Sequence, residues 1–156
     1  AKVEKISASE LDKKLAVLTN ELAFIDAGST VALTKTLSDR RMDALWLSHS
    51  LACAGNLIYI LAANDNGISY LDEFVADYKN LVNPPPIYYV LNQQRFDRKG
   101  QVIQSKFLET VEGSPTFQIP QDHRSIRSQA DAGQQHHFWR STTFNKQIAK
   151  IGNQLT

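Results

Sequence analysis

Three polar residues stand at the ends of short apolar runs, and their chemistry differs. Asp26 closes E-L-A-F-I-D, Asn92 closes I-Y-Y-V-L-N, and Asp122 follows F-Q-I-P-Q. A carboxylate at a strand end can hold a cation or orient a water; it equally suits a turn cap, because Asp accepts local backbone hydrogen bonds. An amide offers donor and acceptor together, which suits the edge of a planar base, and it also suits a plain turn. Asp122 reads as the N-cap of a following helix, with or without a role at a ligand. In open α/β sheets, function collects at the carboxyl ends of the strands. If the runs are parallel strands, the three polar groups lie along one edge.

The elements that must position them can be read from periodicity. Glu21 to Asp26, Asn56 to Ala62, Ile87 to Leu91 and Thr116 to Ile119 are short apolar runs bounded by turn residues, as fully buried strands are. Between them the pattern is helical. Ile6 to Leu11 combines capping-box and staple spacing, with Leu11, Leu15 and Leu18 on one face, before Asn20 ends the helix. Gly28 to Leu37 reads as a loop. Ser38-Asp39 caps a helix carrying Met42, Leu45, Trp46 and His49 on one side and fading near Gly55. Ala63 to Gly67 reads as a turn. Ser69 starts a helix with Leu71, Phe74, Val75, Tyr78 and Val82 at helical spacing. Gln94 to Gly100 reads as a polar loop. Ile103, Phe107 and Val111 form a stripe over 101–111 that Gly113-Ser114 breaks, and a short helix or turn containing Ile126 runs towards Gly133. Phe144, Ile148, Ile151 and Leu155 predict an amphipathic carboxyl-terminal helix. Alternating strands and helices predict an α/β fold: a mostly parallel sheet with helices on both faces and right-handed crossovers.

Composition sets outer bounds. The 156 residues fit one domain spanning 1–156, with 42% hydrophobic residues, 21% charged and a formal net charge of +1. The surface as a whole is therefore not one basic field, which excludes neither nucleic acid nor protein partners. One cysteine, Cys53, excludes an internal disulfide and a cysteine-built metal cage and fits a reducing compartment. No apolar run reaches the ~18 residues of a membrane span, and no signal peptide is visible, so a cytoplasmic domain with no membrane partner is the expectation. The chain starts Ala1-Lys2-Val3 without Met, as a processed or trimmed chain would. No internal repeat is visible, and Pro84-Pro85-Pro86 is too short a break to separate domains.

The order of the signals resembles the ParA/MinD family of P-loop ATPases with a deviant Walker motif. F-I-D-A-G-S is similar to the Walker B strand, and I-Y-Y-V-L-N-Q is similar to the strand whose terminal Asn reads adenine. F-Q-I-P-Q-D-H-R-S-I-R-S-Q-A-D-A-G-Q is similar to the late strand, Ile-Pro-x-Asp loop and helix of that family. N-L-I-Y-I-L-A-A-N sits where the family has a strand leaving the Walker B region. The resemblance covers nearly everything after about residue 20. It is nearest to the plasmid partition and conjugation-associated proteins. It implies Asp26 as the magnesium acid, acting through water, and Asn92, Pro120 and Asp122 around adenine and ribose. It further implies ATP-dependent homodimerisation, a partition or conjugation partner protein, and sequence-independent DNA binding. Arg124, Arg127, Arg140, Lys146 and Lys150 would meet the phosphates, though a solvated helix face accounts for the same charges.

One departure is decisive for chemistry. No Gly in the chain is followed by Lys and then Ser or Thr. The phosphate loop, whose amides cradle the phosphates and whose hydroxyl holds magnesium, is missing, and so is the family's early acidic switch segment. The chain looks like the carboxyl-terminal two-thirds of such an ATPase, or like a degenerate relative. ATP and Mg are expected only if the loop is supplied, and the chain alone is expected not to hydrolyse ATP. Without the loop strand, the Asp26 strand would face a gap of unpaired backbone groups, so the chain is expected to fill it by strand rearrangement or by pairing with a second copy, or else to be marginally stable. The alternative is a nucleotide-free α/β interaction module. His136-His137 and His49 lack the partners of a metal site, and Ser29 and Thr30 lie in no nucleophile elbow. Trp46, Trp139, Tyr88 and Tyr89 read as packing residues.

Overall fold

A computed structural model describes residues 42–121 and 143–155, with Asp26 and Leu33; the side chains at 42–46, 49, 143–145 and 155 lie outside that description. Along the chain these residues form α1 (Met42–Cys53), β1 (Leu57–Ala62), α2 (Asp65–Tyr78), β2 (Ile87–Gln94), α3 (Arg98–Thr110), β3 (Thr116–Pro120) and α4 (Thr143–Leu155). The strands form one parallel sheet in the order β1-β2-β3. This is an α/β fold of alternating strands and helices. The expected helix over 6–20, the strand over 21–25 and the segment around Ile126 lie outside the described residues.

The strands read as unbroken apolar runs because both faces of the sheet are used. Leu57 pairs with Ile87, Tyr59 with Tyr89 and Leu61 with Leu91, and this alternate set faces α2 and α3. There it packs on Leu71, Phe74, Val75 and Tyr78 of α2 and on Ile103, Phe107 and Val111 at α3, with Leu33 and Leu47 in the same core. The other set, Ile58, Tyr88, Val90, Phe117 and Ile119, meets Ile151 of α4 on the opposite face. Period-2 alternation along each strand produces this division. The first core is rich in aromatic contacts: the Tyr59 and Phe74 rings stack at 4.1 Å, Phe74 and Tyr78 at 5.5 Å, and Tyr59 meets Tyr89 edge-on at 6.2 Å. Burial, reinforced by Tyr78 and Tyr59, pushes the Tyr89 hydroxyl up to about 12. The Tyr78 hydroxyl, also raised by burial, donates to the carbonyl of Pro85.

Several boundaries differ from the sequence reading. Ala63 to Gly67 is not a free-standing turn: helix α2 starts at Asp65, with Asn64 as N-cap accepting from Gly67 N at 2.8 Å. The residues that favour turns here satisfy the first orphan amides of a helix instead. Likewise α3 starts at Arg98, inside the expected loop, capped by Asp97, which accepts from Gly100 N at 2.8 Å. Val82 does not extend the α2 stripe. The helix ends at Tyr78, and Val82 is 90% exposed ahead of Asn83 in the left-handed region (φ 51°) and the prolines. In α1 the described burial falls on Leu47 and Leu51; Met42, Leu45, Trp46 and His49 have their side chains outside the description. Among the described residues, no helix is long and apolar enough to cross a membrane.

Candidate functional site

The carboxyl edge of the sheet is shaped by a bulge. β2 and β3 run in register from Tyr89 and Thr116 to Leu91 and Gln118, and then Gln94 faces Pro120. Two residues of β2, Asn92 and Gln93, are thus set against one of β3, and Gln93 takes φ 61°. A bulge of this kind bends the strand and re-aims its side chains. Beyond it, Gln121 N donates to Gln94 O at 2.9 Å, so the two strand ends stay tied.

Asn92 and Pro120, both half-buried, lie near the carboxyl ends of adjacent strands, Asn92 two residues before the end of β2 and Pro120 opposite Gln94. The Asn92 Oδ1 accepts from Gln93 N at 2.9 Å, the one hydrogen bond its side chain makes among the described residues. Its carbonyl accepts from Ala63 N at 2.8 Å, which locks the end of β2 to the start of the α2 junction. Asp122 lies outside the described residues, one position past Gln121, as do Arg124, Arg127 and Arg140. Asp26 is exposed, and the run before it lies outside the description. Lys146 and Lys150 are both exposed on α4, four residues apart and hence on one helix face. His136 and His137 fall outside the described residues; among those described, no group of three or more His, Cys, Asp or Glu could hold a metal.

The same edge receives the amino-terminal ends of α2 and α3, with their unsatisfied amides and partial positive charge. Each junction uses one frame. An Asx N-cap is followed three residues later by a glycine, and that glycine sits against the carbonyl five residues upstream of it. A Cβ on Gly67 would lie 2.1 Å from Ala62 O; on Gly100 it would lie 2.0 Å from Arg95 O. Seven residues past each glycine comes a buried phenylalanine, Phe74 or Phe107. The glycines are thus required by close backbone approach, and the frame aligns Leu61, Ala62, Ala63 and Asn64 with Gln94, Arg95, Phe96 and Asp97.

The second junction carries polar and exposed side chains that pattern reading missed. Gln94 is 1% exposed, occupying the place that buried Leu61 holds in the first junction. Its Nε2 donates to Arg95 O and Gly100 O, both at 2.9 Å, while its Oε1 is buried without a partner. Phe96 is 76% exposed. On either side of it, Arg95 and Asp97 form an ion pair. The Gly100 amide, with Arg95 and Lys99 adding to it, holds the Asp97 carboxyl below its ordinary value. The signal in the sequence was the repeated Asx-x-x-Gly with Phe seven further on, which is too sparse for an apolar-periodicity reading to register. No family model, curated protein or solved structure matches the chain.

Proposed function

We propose that this edge is the base-binding half of a nucleotide site, in a chain similar to the carboxyl-terminal part of a ParA/MinD-type ATPase. The observation that supports the reading is that Asn92 and Pro120 both lie near the carboxyl ends of the adjacent parallel strands β2 and β3. An amide at this edge can accept from and donate to the edge of a planar base. Asp26 would hold magnesium through water and Asp122 would close the ribose side, once a phosphate loop is supplied from elsewhere. The intact protein would dimerise on ATP, bind DNA through phosphates and position plasmid DNA in the cytoplasm with a partition or conjugation partner, and hydrolysis would reset it. Arg124, Arg127, Arg140, Lys146 and Lys150 would supply the phosphate contacts, so DNA affinity should fall steeply with salt and ignore sequence. This polypeptide alone does not turn ATP over; hydrolysis that depends on Asp26 would overturn that.

The test is calorimetric titration of the chain with adenosine and guanosine nucleotides. Adenine is preferred, and Asn92→Ala erases the preference with a loss of about tenfold, as removing a base-reading hydrogen-bond pair does. Equal binding of both bases, or none at millimolar concentration, removes the reading.

A second reading has its own observation. Ile60 is 63% exposed on β1, an edge strand of the sheet that the described residues form. Leu57–Ala62 carries no charge or proline to blunt that edge. A nucleotide-free interaction module that adds a partner strand at β1 would use this edge, and Ile60→Lys would then abolish the association without affecting nucleotide.

A further inference from the structure

Resting on the base-binding reading above, we propose that Phe96 is the stacking platform for the nucleotide base, and that Arg95, Arg98 and Lys99 form a cationic collar for its phosphate. The comparison of the two junctions carries the inference. They share the N-cap, the close-packed glycine and the phenylalanine anchor, so a structural requirement common to both would give them similar rims. Instead the first rim is small and bears no cation, Ala62-Ala63-Asn64-Asp65-Asn66, while the second is Arg95-Phe96-Asp97-Arg98-Lys99. Ala63 packs against the core, whereas its counterpart Phe96 stands in solvent.

An exposed phenylalanine gains nothing from burial, and this one is held out by a fixed frame. Gln94 anchors the loop through two carbonyls, Arg95 and Asp97 on either side of Phe96 in the sequence form an ion pair, and the Asp97 cap ties the loop to α3. Such a platform binds a planar ring with little ordering cost, since its own position is already set. Arg98 and Lys99, just past Phe96, are exposed, as is Arg95, which pairs with Asp97, and the start of α3 adds the partial positive charge of a helix amino terminus. An aromatic face ringed by cations fits a base that carries phosphate better than it fits a bare hydrophobic ligand. Phe96 lies four residues past Asn92, just beyond the end of β2, and the proposal has one base read on its edge by the amide and on its face by the ring.

The experiment uses the full chain and 2-aminopurine riboside 5′-monophosphate, whose fluorescence is quenched on stacking. Phe96→Ala should weaken binding about tenfold and remove the quenching, the range expected for losing one base–aromatic stack. Phe96→Trp should retain both. Melting temperatures of the two variants should match the parent chain, since the ring is exposed. Unchanged affinity and quenching in Phe96→Ala, with binding still lost in Asn92→Ala, overturns the platform and leaves the base-binding edge standing. Absence of any binding by the parent chain at millimolar probe overturns both.

Discussion

The β1–α2 and β2–α3 junctions are built on one frame and finished differently. In the first, every position that touches the core is apolar or small: Leu61 is buried, Ala63 packs against the same cluster, and a neutral amide caps the helix. In the second, a buried amide replaces the leucine, an exposed ring replaces the alanine, and a carboxylate replaces the amide cap. The frame must therefore be what folding requires, because it survives in both. The finish differs between them, and it leaves the second junction with an unpartnered acceptor and an exposed aromatic ring. Departures of this kind from local consistency gather where a protein binds or reacts.

The shared frame is where disruption should be greatest. Phe74→Ala and Phe107→Ala should each lower stability by about 3–5 kcal/mol in denaturant unfolding, because both rings are buried in one core and the cavity cannot collapse. A large asymmetry between them would show that the two units do not share that core equally. Next come Gly67→Ala and Gly100→Ala. The added methyl would meet backbone oxygen at 2.1 and 2.0 Å, so each should cost about 3 kcal/mol. Gly113→Ala serves as the control. Its Cβ meets nothing within 4 Å and only the φ of 80° opposes it, so about 1 kcal/mol is expected.

The frame was partly legible in the sequence and its finish was not. Three of the expected strands and the Ile103, Phe107 and Val111 stripe stand where apolar periodicity put them, because burial on two faces forces continuous apolar runs. The helix starts were missed by three or four residues at Asp65 and Arg98. Asn, Asp and Gly favour turns and helix caps for the same reason, local side-chain hydrogen bonding, and only the carbonyl packed against each glycine decides between the two. Pro120 ends β3 as expected, whereas β2 runs two residues past Asn92, the expected strand end. Gln94 and Phe96 were not legible, because both fell inside a stretch read as a polar loop. Gln94 is instead the buried last residue of β2, opposite Pro120 past the register shift.

Exchanging the finishes sharpens the comparison. Gln94→Leu loses two amide hydrogen bonds but also removes a buried acceptor with no donor. These effects are each of order 1 kcal/mol and opposed, so stability should change by less than about 1 kcal/mol. Leu61→Gln puts an amide into an aromatic-lined core and should cost about 2 kcal/mol. If Gln94→Leu proves as damaging as a cavity in the core, the amide is structural, and the second junction differs from the first by need rather than by function.

The smallest effect separates the caps by pH. Asn64→Ala should cost about 1 kcal/mol at any pH, since an amide cap does not titrate. Asp97 behaves otherwise. Its folded-state value lies below the ordinary 3.8, mainly because it accepts from the Gly100 amide. A group depressed in the folded state stabilises fully above its unfolded value, and that contribution fades as pH falls through the folded one. Melting followed from neutral pH down through the carboxylate range should therefore show an acid-side loss that Asp97→Asn reduces and Asn64→Asp increases. The second of these would convert the first junction's cap into the second's. An acid limb indifferent to both substitutions would mean that the carboxylate at Asp97 gives α3 nothing that the amide at Asn64 does not give α2. The charge at that cap would then belong with Arg95 and Phe96, as part of the rim rather than of the helix.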